Sequence, residues 1–580
     1  MNNNVDSEVL QELLEIIDEK NAEIRWMRRK VQNLEKREED YFREEGNYDI
    51  LRKSKIGKKF IMPFLEKNKK YRDEDGLNQN DIKIIARSKF FDAKWYLKKY
   101  PDLKGIDMPL AEHYLRLGWK ENRNPSEYFV TKEYLNLNSG VRYRNICPLL
   151  HFEKAGKYEG KQYRLNPENE RADFRPSEKE IKKWKDNKDK TNQRLRERYN
   201  RRQVKPDKII FCTFQHKYTC NTKYICEELL KRNTNLDIVW LYDPSFRDYY
   251  EYPRKVRLIP FDSIKAKKEL ASARIIVDNG VISFSEIIAK KPEQTVICTW
   301  HGSLGFKKMG ADIEILEEKD DAVDKFSYNH DILISNSTFE EEVYRTSHWP
   351  TAQIWKLGHA RNDVLINKDE ERIRKMKIRF CVENGISFDK KFVLYAPTFR
   401  DDMLCKANNL LPDSVKKKGV YDLDVERLKE ALHNKFGGDW VVLMRHHFVN
   451  MSNKALKKLI PKGVVDVTSY TDIQELMLMS DVGVTDYSSW ILDYILTRKP
   501  GFLFTVDEDE FERDRGMYYP LSESPLSVSG DIDELMKNIE SFDQGEYENR
   551  IDEFMKEKGC IDDGHASERI VDKILELFDK

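Results

Sequence analysis

Two separate segments carry histidines that could accept a proton from a hydroxyl group. In the first segment, an apolar run ends at His301 and Gly302. The cations Lys307 and Lys308 follow in the same loop. A histidine beside such cations suits the deprotonation of a hydroxyl group that attacks a phosphate. The alternative interpretation is an ordinary glycine-rich loop with surface lysines.

The second segment is Leu443-Met-Arg-His-His-Phe448, which ends another apolar run. The guanidinium of Arg445 could bind two phosphate oxygens at once. Because side chains alternate along a strand, one of the pair His446 and His447 should point into a cleft and the other away from it. The alternative interpretation is that one of these histidines only caps the strand.

A candidate phosphate site is the segment Thr485-Asp-Tyr-Ser-Ser489, which joins an apolar run to a helical pattern. The hydroxyl groups of Ser488 and Ser489, together with the free NH groups of a first helical turn, can bind phosphate oxygens. The alternative is a serine that only caps the helix, which would explain one serine but not the whole set.

The sequence shows no cluster with the spacing of a structural zinc site. The 8 cysteines form no CxxC pair, and several lie in apolar runs, as small core residues do in a reducing compartment. Asp507 and Asp509 could bind a divalent ion, but an acidic loop is the simpler interpretation. We therefore expect no metal site and no obligatory cofactor.

These segments must be positioned by the C-terminal part of the chain, where short apolar runs alternate with helix-length stretches. Such alternation is typical of buried parallel sheets. We predict an α/β fold with two doubly wound, Rossmann-like domains: an acceptor-side domain over 206–375 and a donor-binding domain over 385–580 with a C-terminal helix. Ligands of such folds bind beyond the carboxyl ends of the strands. The predicted strands lie at 208–214, 237–242, 274–280, 295–300, 331–336, 354–358, 392–399, 440–447, 464–468, 481–486 and 501–504.

The N-terminal part is organised differently. Apolar residues over 8–37 follow heptad spacing and predict a coiled coil that associates with itself, the alternative being a single amphipathic helix. A basic linker over 50–75 mixes cations with apolar side chains. It could lie on an anionic membrane surface or remain a solvated linker.

Residues 88–165 contain an internal duplication. The sequence around His113 recurs around His151 at a constant offset, which predicts a small α-helical tandem repeat module in which both histidines are structural. The segment 168–205 is almost wholly charged or polar and is expected to be a linker, with a partly helical linker as the alternative.

The overall composition narrows the classes of partner. The chain has 580 residues with 102 basic and 102 acidic side chains, so no net charge favours binding to nucleic acid. No stretch approaches the roughly 20 apolar residues of a spanning helix. We expect a cytoplasmic protein that is peripheral on the inner face of the cell membrane.

Six motifs, taken in order over about residues 205–545, resemble those of the CDP-glycerol glycerophosphotransferase family, the teichoic-acid primases and polymerases. The resemblance implies a GT-B-like pair of domains that moves glycerol phosphate or another polyol phosphate from a CDP-activated donor to a hydroxyl of a cell-wall or capsular polymer, with release of CMP. The motifs are WHG-x-x-x-FKKxG from Trp300, GHARND at 358–363, YAPTFRDD at 395–402, R-x-H-F-V at 445–449, TDYSSWILDY at 485–494, and Arg515-Gly516.

The resemblance also implies residue roles. It places the family's two essential histidines at His301 and His447, with His446 at a variable position. We assign His301 as the general base and His447 to the transferred phosphate, although the two roles could be exchanged. Phe448 stands where the family usually has Pro or Tyr, which bears on substrate detail. With the cations identified above, the donor and phosphate-binding set is Arg445, Thr485, Asp486, Ser488, Ser489, Lys307, Lys308 and Arg515. The secondary positions are Gly302, His446, Arg361 and Arg400.

Two other functions remain open from the sequence. A GT-B glycosyltransferase that uses a nucleotide sugar would need a sugar-binding carboxylate, and we identify none. A non-catalytic scaffold for a polymerase complex would not need His301, His447 or the pair Ser488 and Ser489, all of which are intact.

Overall fold

A computed structural model describes residues 79–138, 141, 146–243, 252–261, 263–280, 288–313, 330–398, 423–446 and 463–579. The chain divides into two compact units, Met1–Lys188 and Asp189–Lys580. The predicted coiled coil over 8–37 and the basic linker over 50–75 lie outside the described residues. No helix in the described ranges is long and apolar enough to cross a membrane.

The first unit holds the duplicated sequence in short helices. In each copy a tyrosine hydroxyl is hydrogen-bonded to the repeated histidine, at 3.1 Å for Tyr96 and His113 and at 2.7 Å for Tyr134 and His151. Both histidines are thus tied to the interior of the module. The helices are α1 Gln79–Arg87, α2 Ala93–Lys99, α3 Leu110–His113, α4 Thr131–Leu137, α5 Pro148–His151 and α6 Glu178–Asn200, the last of which continues into the second unit.

The second unit begins with a seven-stranded parallel sheet in the order β3-β2-β1-β4-β5-β6-β7. Its strands form from the apolar runs of the sequence, except for the edge strand β3, which was not predicted because it contains a charged residue and a proline. The strands are β1 Lys208–Phe211, β2 Asp237–Tyr242, β3 Arg257–Pro260, β4 Ile275–Asp278, β5 Thr295–Cys298, β6 Ile332–Ser335 and β7 Gln353–Lys356. The helices of this part are α7 Cys220–Lys231, α8 Ile264–Leu270, α9 Thr338–Ser347, α10 Asp363–Ile366 and α11 Glu370–Asn384.

A second parallel sheet has the order β10-β9-β8-β11-β12-β13. Its edge strand β13 was also not predicted, because it is short and mostly polar. The strands are β8 Lys391–Tyr395, β9 Trp440–Met444, β10 Val464–Asp466, β11 Val482–Thr485, β12 Gly501–Phe504 and β13 Ser527–Ser529. The helices are α12 Val425–Phe436, α13 Ile473–Met479, α14 Trp490–Tyr494, α15 Glu508–Arg515, α16 Ile532–Glu540, α17 Gln544–Glu557 and α18 Ala566–Asp579.

The two sheets confirm the predicted α/β fold with parallel strands. In each sheet the strand order reverses between two neighbours, β1 and β4 in the first and β8 and β11 in the second. Such reversal points open a crevice at the carboxyl ends of the strands, where ligands of this fold class bind. The C-terminal helix α18 returns to the first sheet, where Ile570 and Ile574 pack in one core with Ile209 and Phe211.

Candidate functional site

His301 lies in the loop that follows β5. Its Nδ1 atom is 2.8 Å from the backbone oxygen of Asn279, a residue that directly follows β4. A carbonyl oxygen can only accept a hydrogen bond, so Nδ1 carries the proton and Nε2 keeps its lone pair. The ring of Phe214 stacks on His301 with the centroids 5.5 Å apart. The carboxyl ends of three strands therefore orient this imidazole.

The surroundings of His301 keep it neutral at physiological pH. The side chain is accessible to solvent, yet protein encloses it closely, as in a cleft. Burial lowers the pKa of His301 to about 4, opposed by the hydrogen bond to Asn279 and assisted by the positive charges of Arg361 and Lys307. A neutral imidazole with a free Nε2 can accept a proton from a substrate hydroxyl.

The backbone around this site is strained. Among the described residues, seven that are not glycine have positive φ, and four of these lie either between β1 and the first residue of α7 or in the loop after β5. Non-glycine residues in this conformation persist where the surrounding structure holds them, and they are concentrated at functional sites. The four residues are His216 at φ 54°, Cys220 at 62°, Trp300 at 49° and Leu304 at 47°.

The second domain meets this loop at Ser489. A Cβ atom on Gly302 would lie 4.0 Å from the Ser489 Oγ atom, and one on Gly305 would lie 3.6 Å from its Cβ atom. Ser488 and Ser489 are half-buried. Ser489 occupies the N-cap of α14, but its side chain makes no capping hydrogen bond there. Its hydroxyl group is therefore available on the side that faces the loop of His301.

Thr485 and Asp486, the first two residues of this motif, are buried at the end of β11. The hydroxyl of Thr485 donates to the Ala396 oxygen at 2.7 Å, and the carboxylate of Asp486 accepts from the Thr398 NH at 2.7 Å. These bonds join β11 to the segment after β8 across the strand-order reversal. The structure thus places these two side chains behind the serines, where they hold the local backbone.

The predicted cations of the first and last motifs lie together. Lys307 pairs with Met517 in an antiparallel bridge, and the Lys308 NH donates to the Gly516 oxygen at 3.1 Å. The Arg515 guanidinium donates to the Lys308 oxygen at 3.2 Å. The backbone segment of Lys307 and Lys308 therefore lies against the segment 515–517, which is far from it in the sequence.

Arg445 and His446 follow β9. Nη1 of Arg445 donates to the Tyr470 oxygen at 2.8 Å. His446 is buried, and burial lowers its pKa. His447, predicted as the second essential histidine, and Arg400 both lie outside the described residues.

Lys217, in the loop after β1, was not predicted as a site residue. It is buried, and burial together with the charge of Arg445 lowers its pKa to about 8. The charge of Arg445 acts on Lys217 although the two residues are far apart in the chain, so no local sequence signal could have found this lysine.

Arg361 lies inside the protein and not on the cleft surface. Its Nε atom donates to Asp493 at 2.9 Å, and Nη2 donates to the Gly302 oxygen at 3.0 Å. Asp493 is on α14, directly behind Ser489. Burial opposes the charge of Arg361, but Asp493 raises its pKa above the usual range. One buried ion pair therefore fixes both the loop of His301 and the helix that carries the serines.

A second buried ion pair joins α7 of the first sheet domain to the start of α13 of the second. Lys223 Nζ lies 2.7 Å from Asp472 Oδ2, and the Tyr224 hydroxyl donates to the same oxygen at 3.1 Å. Burial by itself would raise the pKa of Asp472. The charge of Lys223 opposes burial, and the pKa of Asp472 is lowered. Sequence reasoning missed this pair because its members are far apart in the chain.

In comparisons with known proteins, this chain is similar to members of one family. Residues 195–576 match the family described as CDP-Glycerol:Poly(glycerophosphate) glycerophosphotransferase. A teichoic acid poly(glycerol phosphate) polymerase of Staphylococcus epidermidis is 30% identical over 388 residues, 64% of this chain and 51% of that protein. A protein of the same description from Bacillus spizizenii is 28% identical over 381 residues, which are 63% of this chain and 91% of the relative.

Similarity to a solved structure extends over most of the length of that structure. The wall teichoic acid polymerase TagF superposes with a TM-score of 0.56 and 27% identity, covering 67% of this chain and 94% of the other. This chain thus spans about half the length of the Staphylococcus epidermidis relative and most of the length of the solved structure.

Proposed function

This chain belongs to the CDP-glycerol:poly(glycerophosphate) glycerophosphotransferase family, and we propose that it transfers glycerol phosphate, or another polyol phosphate, from a CDP-activated donor to a hydroxyl of a cell-wall polymer. CMP is the second product. The observation that carries this proposal is the neutral, oriented imidazole of His301, with the positive charge of Lys307 near it and Ser489 close to the same loop.

His301 acts as the general base. Its Nδ1–H is held by the Asn279 carbonyl at 2.8 Å, so Nε2 faces the substrate with its lone pair. The acceptor hydroxyl loses its proton to Nε2 while its oxygen forms a bond to the phosphorus that carries the polyol. The bond from that phosphorus to the CMP oxygen breaks, and CMP leaves with the electron pair. Proton transfer of this kind contributes about 10²–10⁴ in rate.

The donor's diphosphate binds along the cations and the serines. Lys307, Lys308 and Arg515 supply positive charge on one side of the cleft, and the hydroxyls of Ser488 and Ser489 donate to phosphate oxygens on the other. Preorganised donors of this kind stabilise charge on a transferred phosphoryl group, since they need no reorientation during the reaction.

The remaining predicted residues complete the reaction site. Arg445, which follows β9 in the second domain, binds the donor phosphate. His447 contacts the transferred phosphate, because the family's second essential histidine falls at this position of the R-x-H motif, and His446 has a secondary role. Thr485 and Asp486 position the serines through the backbone after β8.

The cellular setting proposed is the inner face of the membrane, where a lipid-linked or polymeric acceptor is accessible. The heptads over 8–37 would join chains, and the basic stretch at 52–72 would contact anionic lipid, with each cation adding about 1 kcal/mol. Several weak contacts joined in one oligomer bind a surface more tightly than one.

The direct test is product release from defined donors. Purified protein is given CDP-glycerol, CDP-ribitol or a nucleotide sugar with a short polyol-phosphate acceptor, and products are followed by mass. We expect CMP together with an acceptor that is heavier by one polyol phosphate. His301→Asn and His447→Ala should each lower turnover by about 10² or more, with a milder effect of His446→Ala. Transfer of a glycosyl group, or no transfer from any CDP-polyol, would contradict the proposal.

A further inference from the structure

Three buried side chains lie behind the loop that orients His301. Asp278 ends β4, Cys298 ends β5 and His330 lies two residues before the first residue of β6. One potential ligand atom of each lies within 4.8 Å of the others. All three side chains are of types that can bind a metal ion. His330 Nε2 lies 3.3 Å from Asp278 Oδ1 and 3.4 Å from Oδ2. The same Oδ1 accepts the Gly280 NH at 3.0 Å.

The proton positions in this cluster follow from Trp349. Its Nε1–H, which can only donate, lies 3.1 Å from His330 Nδ1. Nδ1 therefore accepts, and the neutral imidazole carries its proton on Nε2, where it donates to Asp278. A metal ion at Nε2 would displace that proton and leave an imidazolate, whereas metal-bound histidines normally donate from their other nitrogen. The hydrogen-bond order thus disfavours a metal ion.

Asp278 is connected to His301 through two backbone groups. Its carboxylate accepts a hydrogen bond from the Gly280 NH. The oxygen of the same peptide unit belongs to Asn279 and accepts a hydrogen bond from the His301 Nδ1–H at 2.8 Å. Gly280 has a φ of +99°, and a Cβ there would lie 2.7 Å from the Trp300 ring, so this turn is closely confined. A shift of the carboxylate therefore moves the carbonyl that holds the imidazole.

We propose that Asp278 is a positioning residue for His301, held by a proton-ordered chain that runs from Trp349 through His330 to the Asp278 carboxylate. The chain fixes the turn after β4 so that His301 presents Nε2 to the acceptor hydroxyl. This role rests on the proposed function, because it is the transfer reaction that needs the free Nε2.

The test is the change Asp278→Asn, which keeps the shape of the side chain. The carboxylate receives hydrogen bonds from the Gly280 NH, His330 and the Cys298 thiol, whereas an amide puts an N–H group against one of these groups. We expect kcat for CMP release to fall about 10- to 100-fold, as for small misplacements of a catalytic group, with KM for CDP-glycerol within about twofold of wild type. The matched control is Asp481→Asn. The Asp481 carboxylate also accepts a backbone hydrogen bond, from the Phe392 NH at 2.8 Å, but it lies at the amino ends of the strands of the second sheet.

Rescue distinguishes proton order from simple damage. In Trp349→Phe the donor to His330 Nδ1 is gone, so the imidazole can move its proton to Nδ1 and accept from the new amide through Nε2. The kcat of the double variant Asp278→Asn/Trp349→Phe should therefore be at least about threefold higher than the kcat of Asp278→Asn. Losses that simply multiply in the double variant would overturn the proton-ordered chain.

A spectroscopic measurement separates this proposal from the proposed function. In full-length protein labelled with ¹⁵N-histidine, nitrogen shifts at pH 7 should show His330 protonated on Nε2 and His301 on Nδ1, with the His301 signal changed in Asp278→Asn. The opposite tautomer of His330, or one equivalent of tightly bound metal whose removal changes its signal, would overturn the positioning role even if Asp278→Asn fails to fold. The expected tautomers without CMP release would leave the hydrogen-bond chain from Trp349 to His301 standing and contradict the transfer reaction instead.

Discussion

The pH dependence of turnover tests whether His301 is the general base. Burial lowers the pKa of His301 to about 4. With that value about 90% of the imidazole is still neutral at pH 5, so kcat/KM should fall by only ~10% between pH 7 and pH 5. A histidine with an ordinary pKa of about 6.5 would lose ~25-fold over the same interval.

Burial is the main cause of the lowered pKa of His301, and nearby charged groups modify it. The positive charges of Arg361 and Lys307 disfavour the imidazolium. The Asn279 carbonyl and Asp278 favour it, but their effects are smaller than that of burial. Since Arg361 is buried and paired with Asp493, its charge does not change in this interval.

Two features of the protein set the limits of the experiment. Burial lowers the pKa of Lys217 to about 8, so its charge changes above neutrality and the reference rate is taken at pH 7. Burial also lowers the pKa of His216 to about 4 in the folded protein. The unfolded chain, with histidine pKa values near 6.5, binds more protons below that pH. The histidine contribution to stability is therefore complete above about pH 6.5 and is lost progressively as the pH falls towards 4.

The assay is CMP release at subsaturating CDP-glycerol and constant ionic strength from pH 5 to pH 7, with circular dichroism at each pH to verify folding. His301→Asn provides the rate without the base. A ~25-fold fall with a midpoint near 6.5 in folded wild-type protein would refute the reasoning, because the cleft would then not exclude the charged imidazole. A flat profile in wild type that lies about 10² above the variant would support it.

Three further results are expected. Ser488→Ala combined with Ser489→Ala should weaken calorimetric binding of CDP-glycerol by roughly 1.5–3 kcal/mol, since hydrogen bonds to charged groups contribute that much; unchanged affinity in a folded variant would remove the serines from the donor site. Arg361→Met should lower the free energy of unfolding in urea by about 3–5 kcal/mol, because Asp493 is left buried and unpaired, and adding Asp493→Leu should restore part of the loss; equal loss in both proteins would contradict the ion pair's role. Truncation before residue 75 should give a smaller particle by light scattering that still uses a soluble acceptor but no longer floats with anionic vesicles at low salt, whereas a full-length monomer would end the coiled-coil prediction.

Local patterns in the sequence were sufficient to predict the parallel sheets and the loops that carry the chemistry. Apolar runs of strand length become buried strands wherever neighbours cover both faces, so His301, Arg445 and the serines could be placed at strand ends. The two missed strands lie at sheet edges, where burial is incomplete and polar residues are tolerated. A pattern based on apolar runs does not detect such strands.

Tertiary structure alone decided which of the predicted site residues face the cleft. Arg361 looked like a ligand-binding arginine but is buried against Asp493, and Thr485 bonds to the backbone after β8. The carbonyl of Asn279, which determines the tautomer of His301, has no side-chain signature at all. Each of these contacts joins segments that are far apart in the chain. Their distance and direction depend on how whole sheets and helices pack, which local sequence patterns do not specify.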